Sequence, residues 1–127
     1  MDTQFTSIIL QDQFVPQAGL LDLQIKVKAT MNLSAEDAQR KVSQFAHREI
    51  SYLLRGDTPS LAVVDGVYWR VPLLLTFPSH GAVGAVGSID VDVASGEIQI
   101  SAELVAEIRD RARHLAAHTS SHAAPTG

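Results

Sequence analysis

The sequence predicts an α+β fold: a curled antiparallel sheet of about four or five strands, with two helices packed on one of its faces. Three observations support this prediction. Apolar and polar residues alternate along several segments, two other segments repeat apolar residues at helical spacing, and short turn sequences join consecutive strands. The expected order of elements is a strand, a helix, three or four strands and a final helix. Two such layers bury the apolar face of the sheet and the apolar stripe of each helix together.

The length and composition fit one compact domain. The chain has 127 residues, of which 46% are hydrophobic. We assign residues 1–118 to the domain and residues 119–127, which are small and carry no acidic or strongly basic side chain, to a disordered tail. The 14 acidic residues and the 10 Lys and Arg residues give a formal net charge of −4. Because proteins that bind nucleic acids or membrane surfaces present a basic face, we expect neither partner.

The sequence lacks cysteine, a secretory signal and a membrane-spanning stretch, and each absence excludes a class of chemistry or of protein. The chain contains no cysteine, which excludes disulfides, thiol nucleophiles and cysteine-ligated metals. Its first residues lack the basic and apolar regions of a secretory signal, and no apolar stretch approaches the roughly 20 residues of a membrane-spanning helix. We therefore expect a cytoplasmic protein that uses no cofactor.

Two strands are expected before the first helix. A short one lies near Ile8, and a longer one covers residues 21–29, where the alternation is strict. The apolar side of the longer strand consists of Leu21, Leu23, Ile25, Val27 and Ala29. The polar side consists of Asp22, Gln24, Lys26 and Lys28. A period of two over nine residues is typical of a strand with one solvated face, which antiparallel sheets tolerate.

Both helices begin with a serine that can cap the first turn. Ser34 precedes a helix that we expect to end at Gly56, and Ser101 precedes the second helix. The first apolar stripe consists of Ala38, Val42, Phe45, Ala46, Ile50, Leu53 and Leu54. The second consists of Leu104, Val105, Ile108, Ala112 and Leu115.

Residues 61–100 are expected to form a meander of antiparallel strands. Asp65-Gly66 is a typical two-residue hairpin turn, and it joins a strand over residues 61–64 to a long strand over residues 67–77. A turn over residues 78–81 follows, and the next strand begins near Val83. Three glycines, Gly81, Gly84 and Gly87, are spaced three apart across this segment. A glycine-rich phosphate loop leads from a strand into a helix. Since these glycines lie between two strands, we interpret them as a twisted or bulged strand.

One face of the long strand is a candidate interface. Tyr68, Arg70 and Leu74 lie on the side opposite Trp69, which the helices are expected to cover. Tyrosine and arginine are the side chains that most often anchor protein interfaces. A half-exposed sheet face without a partner is the alternative interpretation.

Histidines near the C-terminus form a candidate metal site. His114 and His118 are spaced so that they share one side of the second helix and can chelate an ion such as zinc, and His122 continues the spacing. The alternative is a solvated helix end, where histidines lie near the negative pole of the helix dipole.

Residues 35–100 resemble a PepSY-type domain. The resemblance is carried by Asp92-Val93-Ala94-Ser95-Gly96-Glu97-Ile98, which closes a hairpin, and by the preceding Tyr68-Trp69-Arg70-Val71. It implies a small non-catalytic module, which in several members inhibits a protease. It assigns no functional residues to this chain.

These patterns support two hypotheses about function. The first is a non-catalytic interaction or regulatory module that neutralises or inhibits a partner protein, as antitoxins and inhibitors do, and that also forms a homodimer. The second is a small-molecule-binding protein or enzyme whose pocket uses His80 with Asp90 or Asp92. The second hypothesis requires these three residues to meet in a concavity, whereas the first requires a contiguous open sheet face.

Overall fold

The computed structural model describes residues 7–8, 18–22, 24 and 26–123, and it has the α+β architecture that the sequence predicts. The elements in chain order are β1 (Ser7–Ile8), α1 (Ala35–Glu49), β2 (Leu54–Gly56), β3 (Ser60–Val64), β4 (Val67–Phe77), β5 (Gly81–Asp92), β6 (Ile98–Gln99) and α2 (Ala102–Ala123). All strand pairs are antiparallel, in the order β1-β3-β4-β5-β6. Strand β2 pairs with the second half of β4.

Strand β4 is central to the sheet because it pairs along both edges. On one edge it runs beside β5 for its whole length. On the other edge, β3 pairs with its first half and β2 with Leu73, Leu74 and Leu75. Pro72, which has no amide hydrogen to donate, lies between these two pairings, and its carbonyl accepts a hydrogen bond from the Asp57 amide at 2.8 Å.

Both helices pack on the same face of the sheet, as predicted. Alternate residues of β4 are buried there, namely Val71, Leu73 and Leu75. Helix α1 contributes Ala38, Val42 and Ala46, and α2 contributes Ile108, to one continuous core with β4 and β5. On the same side, the indole nitrogen of Trp69 donates to the Leu33 carbonyl at 2.8 Å, which ties the approach to α1 onto the sheet.

The predicted helix caps are present. The Asp37 amide donates to the Ser34 hydroxyl at 3.1 Å, and the Leu104 amide donates to the Ser101 hydroxyl at 3.1 Å. These bonds satisfy amides that the first turn of a helix leaves without a partner. Helix α2 continues to Ala123, beyond the predicted domain end at residue 118, and residues 124–127 lie outside the described residues.

The first helix ends earlier than the sequence predicts. Helix α1 stops at Glu49, where the amides of Ile50 and Ser51 both donate to the Ala46 carbonyl. The chain then turns, and Leu54 to Gly56 form β2 instead of the last helical turn. The predicted role of Gly56 as a helix cap is therefore wrong. Gly56 is buried against α1, and its amide donates to the Ser43 hydroxyl at 2.8 Å.

The predicted strand over residues 21–29 is absent from the described residues of that segment, although the short strand near Ile8 is present as β1. Residues 21–22, 24 and 26–29 belong to no strand or helix and are exposed. Leu23 and Ile25 lie outside the described residues. Alternation indicates that a segment can form an amphipathic strand, but a strand also needs a free edge to pair with.

The glycine-rich stretch of β5 is a bulged strand, as predicted. The register between β4 and β5 shifts after Leu73, which pairs with Gly87, and shifts again after Leu75, which pairs with Gly84. Gly87 has a φ of +147°, and a side chain there would meet Ile108 of α2. The bulge therefore lets α2 approach the sheet closely. No helix in the described part of the chain is long and apolar enough to cross a membrane.

Candidate interaction surface

The side of the sheet opposite the helices carries the predicted interface residues. We define the open face as Tyr68, Arg70, Pro72, Leu74 and Thr76 of β4 with Ser88, Asp90 and Asp92 of β5. Pairing places Tyr68 opposite Asp92 and Arg70 opposite Asp90, so these side chains share a face. Within the described part of the chain both helices pack on the other side, and the side chains of the open face are half-buried.

A bidentate ion pair lies in the middle of the open face. The Arg70 Nε and Nη2 atoms donate to the two carboxylate oxygens of Asp90 at 2.8 and 2.9 Å. These hydrogen bonds raise the pKa of Arg70 further above its ordinary value. The Arg70 side chain is 37% exposed and that of Asp90 21%. Because both oxygens are engaged, the guanidinium is held in one orientation relative to Asp90.

A tight turn closes the end of the open face. The carboxylate of Asp92 accepts hydrogen bonds from the amides of Ala94 and Ser95 at 2.8 and 2.9 Å. The amide of Ser95 and then that of Ala94 hold the pKa of this carboxyl below its ordinary value. The Lys41 ammonium donates to the Gly96 carbonyl, which joins the turn to α1. The hairpin motif that carries the PepSY-type resemblance is thus explained by an aspartate-stabilised turn.

Replacing Asp92 by alanine is expected to destabilise the protein near neutral pH but not in acid. The pKa of Asp92 is lowered in the folded protein from its ordinary value of 3.8, so its contribution is complete above that value. The contribution is lost as the pH falls through the folded-state pKa. Urea unfolding across a pH series should show a difference from the unaltered protein that shrinks below about pH 4. Asp57→Ala, which removes a carboxylate that accepts no hydrogen bond from the described residues, is the control.

The residues of the predicted pocket do not come together. His80 lies in the turn between β4 and β5, where its Nδ1 is 2.8 Å from the Ser79 hydroxyl. Asp90 and Asp92 lie at the other end of β5, roughly 30 Å away at about 3.3 Å per residue. Asp90 is bound to Arg70 and Asp92 to its turn. His80 therefore shares no concavity with either carboxylate.

The two histidines of the candidate metal site lie on one side of α2. His114 Nδ1 is 3.0 Å from the Asp110 carbonyl and 3.7 Å from an Asp110 carboxylate oxygen. His118 lies one turn further along, and both line a shallow depression with Ala85, Arg111 and Leu115. No group of three or more possible metal ligands occurs among the described residues. The described geometry thus offers a two-histidine pair rather than a complete ligand set.

Sequence reasoning missed one groove on the helix side. It lies between the end of α1 and α2, has an apolar floor that includes Ile50, Leu53 and Leu75, and carries Arg109 and Arg113 at its rim. The arginine spacing of four was the available signal, because residues so spaced share a helix face. Arg109 has a structural role, since it donates to the Glu49 carbonyl at the end of α1 at 3.0 Å. We assign no function to this groove.

Comparison with known proteins adds no relative. The chain matches no protein-family model, and neither a curated protein nor a solved structure shows significant similarity to it.

Proposed function

We propose that this protein is a non-catalytic, cytoplasmic interaction module that binds a partner protein through the open face and neutralises or inhibits it. The observation that carries the proposal is the row of Tyr68, Arg70 and Leu74 on the side of the sheet opposite both helices. We further propose that the protein forms a homodimer.

The composition of the open face supports protein binding. Tyrosine and arginine contribute large contact areas and many hydrogen bonds, and they are enriched among the residues that dominate binding energy. Arg70 is already held in one geometry by Asp90, so little side-chain entropy is lost when a partner docks on it. Leu74 and Pro72 add apolar surface beside the ion pair. A sheet surface with a fixed charged centre favours a folded protein as the partner.

Charge and resemblance support the kind of partner proposed. The formal net charge of −4 favours association with a basic protein, because complementary potentials speed encounter and disfavour acidic competitors. The resemblance of residues 35–100 to PepSY-type domains points to the same class of module, since those domains include protease inhibitors. An antitoxin-like or inhibitor-like role unites both features.

The proposal predicts that Leu74→Glu abolishes or strongly weakens partner binding while Leu61→Glu does not. Both residues are strand leucines with solvent contact, but Leu61, which is 52% exposed, pairs with Trp69 and so belongs to the other face. A photo-crosslinking amino acid at position 68, introduced in the native host, identifies the partner. The affinity of the purified partner should then fall at least about tenfold for Leu74→Glu.

The outcome that contradicts the proposal is equally clear. Crosslinking that is no stronger from position 68 than from position 61 would show that the open face is not the contact surface. Equal loss of affinity for Leu74→Glu and Leu61→Glu would do the same. Circular dichroism of both variants verifies that the fold is retained.

A further inference from the structure

The segment of residues 21–29 has the pattern of an amphipathic strand, but its described residues, 21–22, 24 and 26–29, belong to no strand. Its described residues make no backbone hydrogen bond to the rest of the described chain. Leu21 is 47% exposed and Val27 is 37% exposed, although both belong to the apolar side of the pattern. Unpaired backbone groups and exposed apolar side chains in a segment with strand alternation are the features of a strand that can pair with another chain.

We propose that this segment pairs with the same segment of a second copy, as an antiparallel ladder about a two-fold axis. This inference rests on the homodimer of the proposed function, and it names the surface through which the dimer forms. The dimer surface is thereby distinct from the open face, which stays available to the partner protein.

The charges of the segment complement one another in one register. When Leu21 faces Ala29 of the second copy, Asp22 faces the second copy's Lys28, and the two-fold axis repeats this pair. Gln24 then faces the second copy's Lys26. Directly opposite residues in an antiparallel pair share a face, so all charged side chains lie on one side and the apolar side chains lie on the other.

Neighbouring registers are less favourable. A shift of two residues in one direction places Lys26 opposite its own copy, which sets like charges against each other. A shift of two in the other direction pairs Asp22 with Lys26 of the second copy, but it places Lys28 opposite Leu20, so that one charge of each chain faces an apolar side chain. In the described structure Asp22, Lys26 and Lys28 form no ion pair within one chain. Pairing therefore does not have to break existing interactions.

A charge exchange tests this register directly. Sedimentation equilibrium over a concentration series measures the dissociation constant of the dimer. Asp22→Lys creates two like-charge pairs, and we expect it to weaken the dimer about tenfold. The double variant Asp22→Lys/Lys28→Asp restores opposite charges and should return the dissociation constant to within about threefold of the original. Asp57→Lys makes the same change of net charge outside the segment and should leave dimerisation unchanged.

The possible failures are distinguishable. A protein that stays monomeric at every concentration overturns both this inference and the proposed homodimer, whereas binding of a partner at the open face is tested separately by Leu74→Glu. A dimer that Asp22→Lys does not weaken, or that the double variant does not restore, overturns the paired segment alone. In that case Leu74→Glu, measured in the same experiment, shows whether the open face forms the dimer instead.

Discussion

Replacing Leu73 by alanine is expected to lower the free energy of unfolding by about 2–5 kcal/mol, whereas the same change at Leu74 should cost about 1 kcal/mol or less. The two leucines are neighbours on β4 but lie on opposite faces of the sheet. Leu73 is fully buried beneath the helices, so alanine leaves a cavity in the core. Leu74 is half-buried on the open face, where solvent fills the space that alanine leaves.

Urea denaturation followed by circular dichroism measures both values, with the dependence on urea concentration checked for a two-state transition. The pair of variants tests the two-layer architecture itself, because backbone propensity and strand position are nearly the same for both residues. Equal losses of stability at the two positions would mean that both faces of β4 are covered, and the open face would have to be abandoned.

Replacing Gly87 by alanine is expected to cost about 2–4 kcal/mol of stability. Gly87 has a φ of +147°, a conformation that residues with a Cβ atom rarely adopt. The added carbon would also lie 3.1 Å from Ile108 Cγ1, and Ile108 is the fully buried residue through which α2 joins the core. Both backbone strain and crowding against α2 therefore act at this position.

Gly81→Ala is the comparison variant in which the contact with α2 is absent. Gly81 also has a positive φ, +75°, but nothing lies within 4 Å of the position that a Cβ would occupy. We expect this variant to lose only about 1 kcal/mol, from backbone strain alone. Thermal and urea unfolding of both variants gives the comparison. Equal losses would show that contact with α2 contributes nothing at Gly87, and no loss at Gly87 would contradict the bulge.

The meander and the two faces of the sheet could be predicted because the relevant signals are local. Asp65-Gly66 indicates a hairpin at the correct place, and Asp65 has a φ of +60° there. The connection is longer than the two residues predicted, because Val63 pairs with Val67. Once the turn is placed, the period of two along β4 assigns every side chain to a face. The grouping of Tyr68, Arg70 and Leu74 followed from this alternation alone.

The end of the first helix could not be predicted in the same way. Ile50, Leu53 and Leu54 continue the helical spacing of α1, so the local pattern favours a longer helix. In the structure Leu54 pairs with Leu75 of β4, far along the chain, and becomes fully buried. That long-range pairing outweighs the local helix propensity, and the sequence of residues 50–56 contains no signal that predicts pairing with β4.

The candidate site, too, could be predicted from the sequence only in part. The row on β4 depends on alternation, but the ion pair between Arg70 and Asp90 depends on the register of two strands and on a bulge between them. Alternation along β5 places Asp90 on one face of the sheet, but it does not predict which side chain of β4 Asp90 binds. The separation of His80 from Asp90 and Asp92, by contrast, follows from hairpin geometry, because residues at the tip and at the base of a long hairpin lie far apart.

The position of β4 has a consequence for how the protein opens. Strands β2, β3 and β5 and helix α1 contact β4 directly. Helix α2 packs on β5 and belongs to the same core as β4. Local fluctuations can release the ends of the chain, yet exposing β4 requires strands on both edges and the helical layer to separate together. We therefore expect the backbone amides of β4, which carries most of the open face, to exchange with solvent more slowly than those of the other described strands.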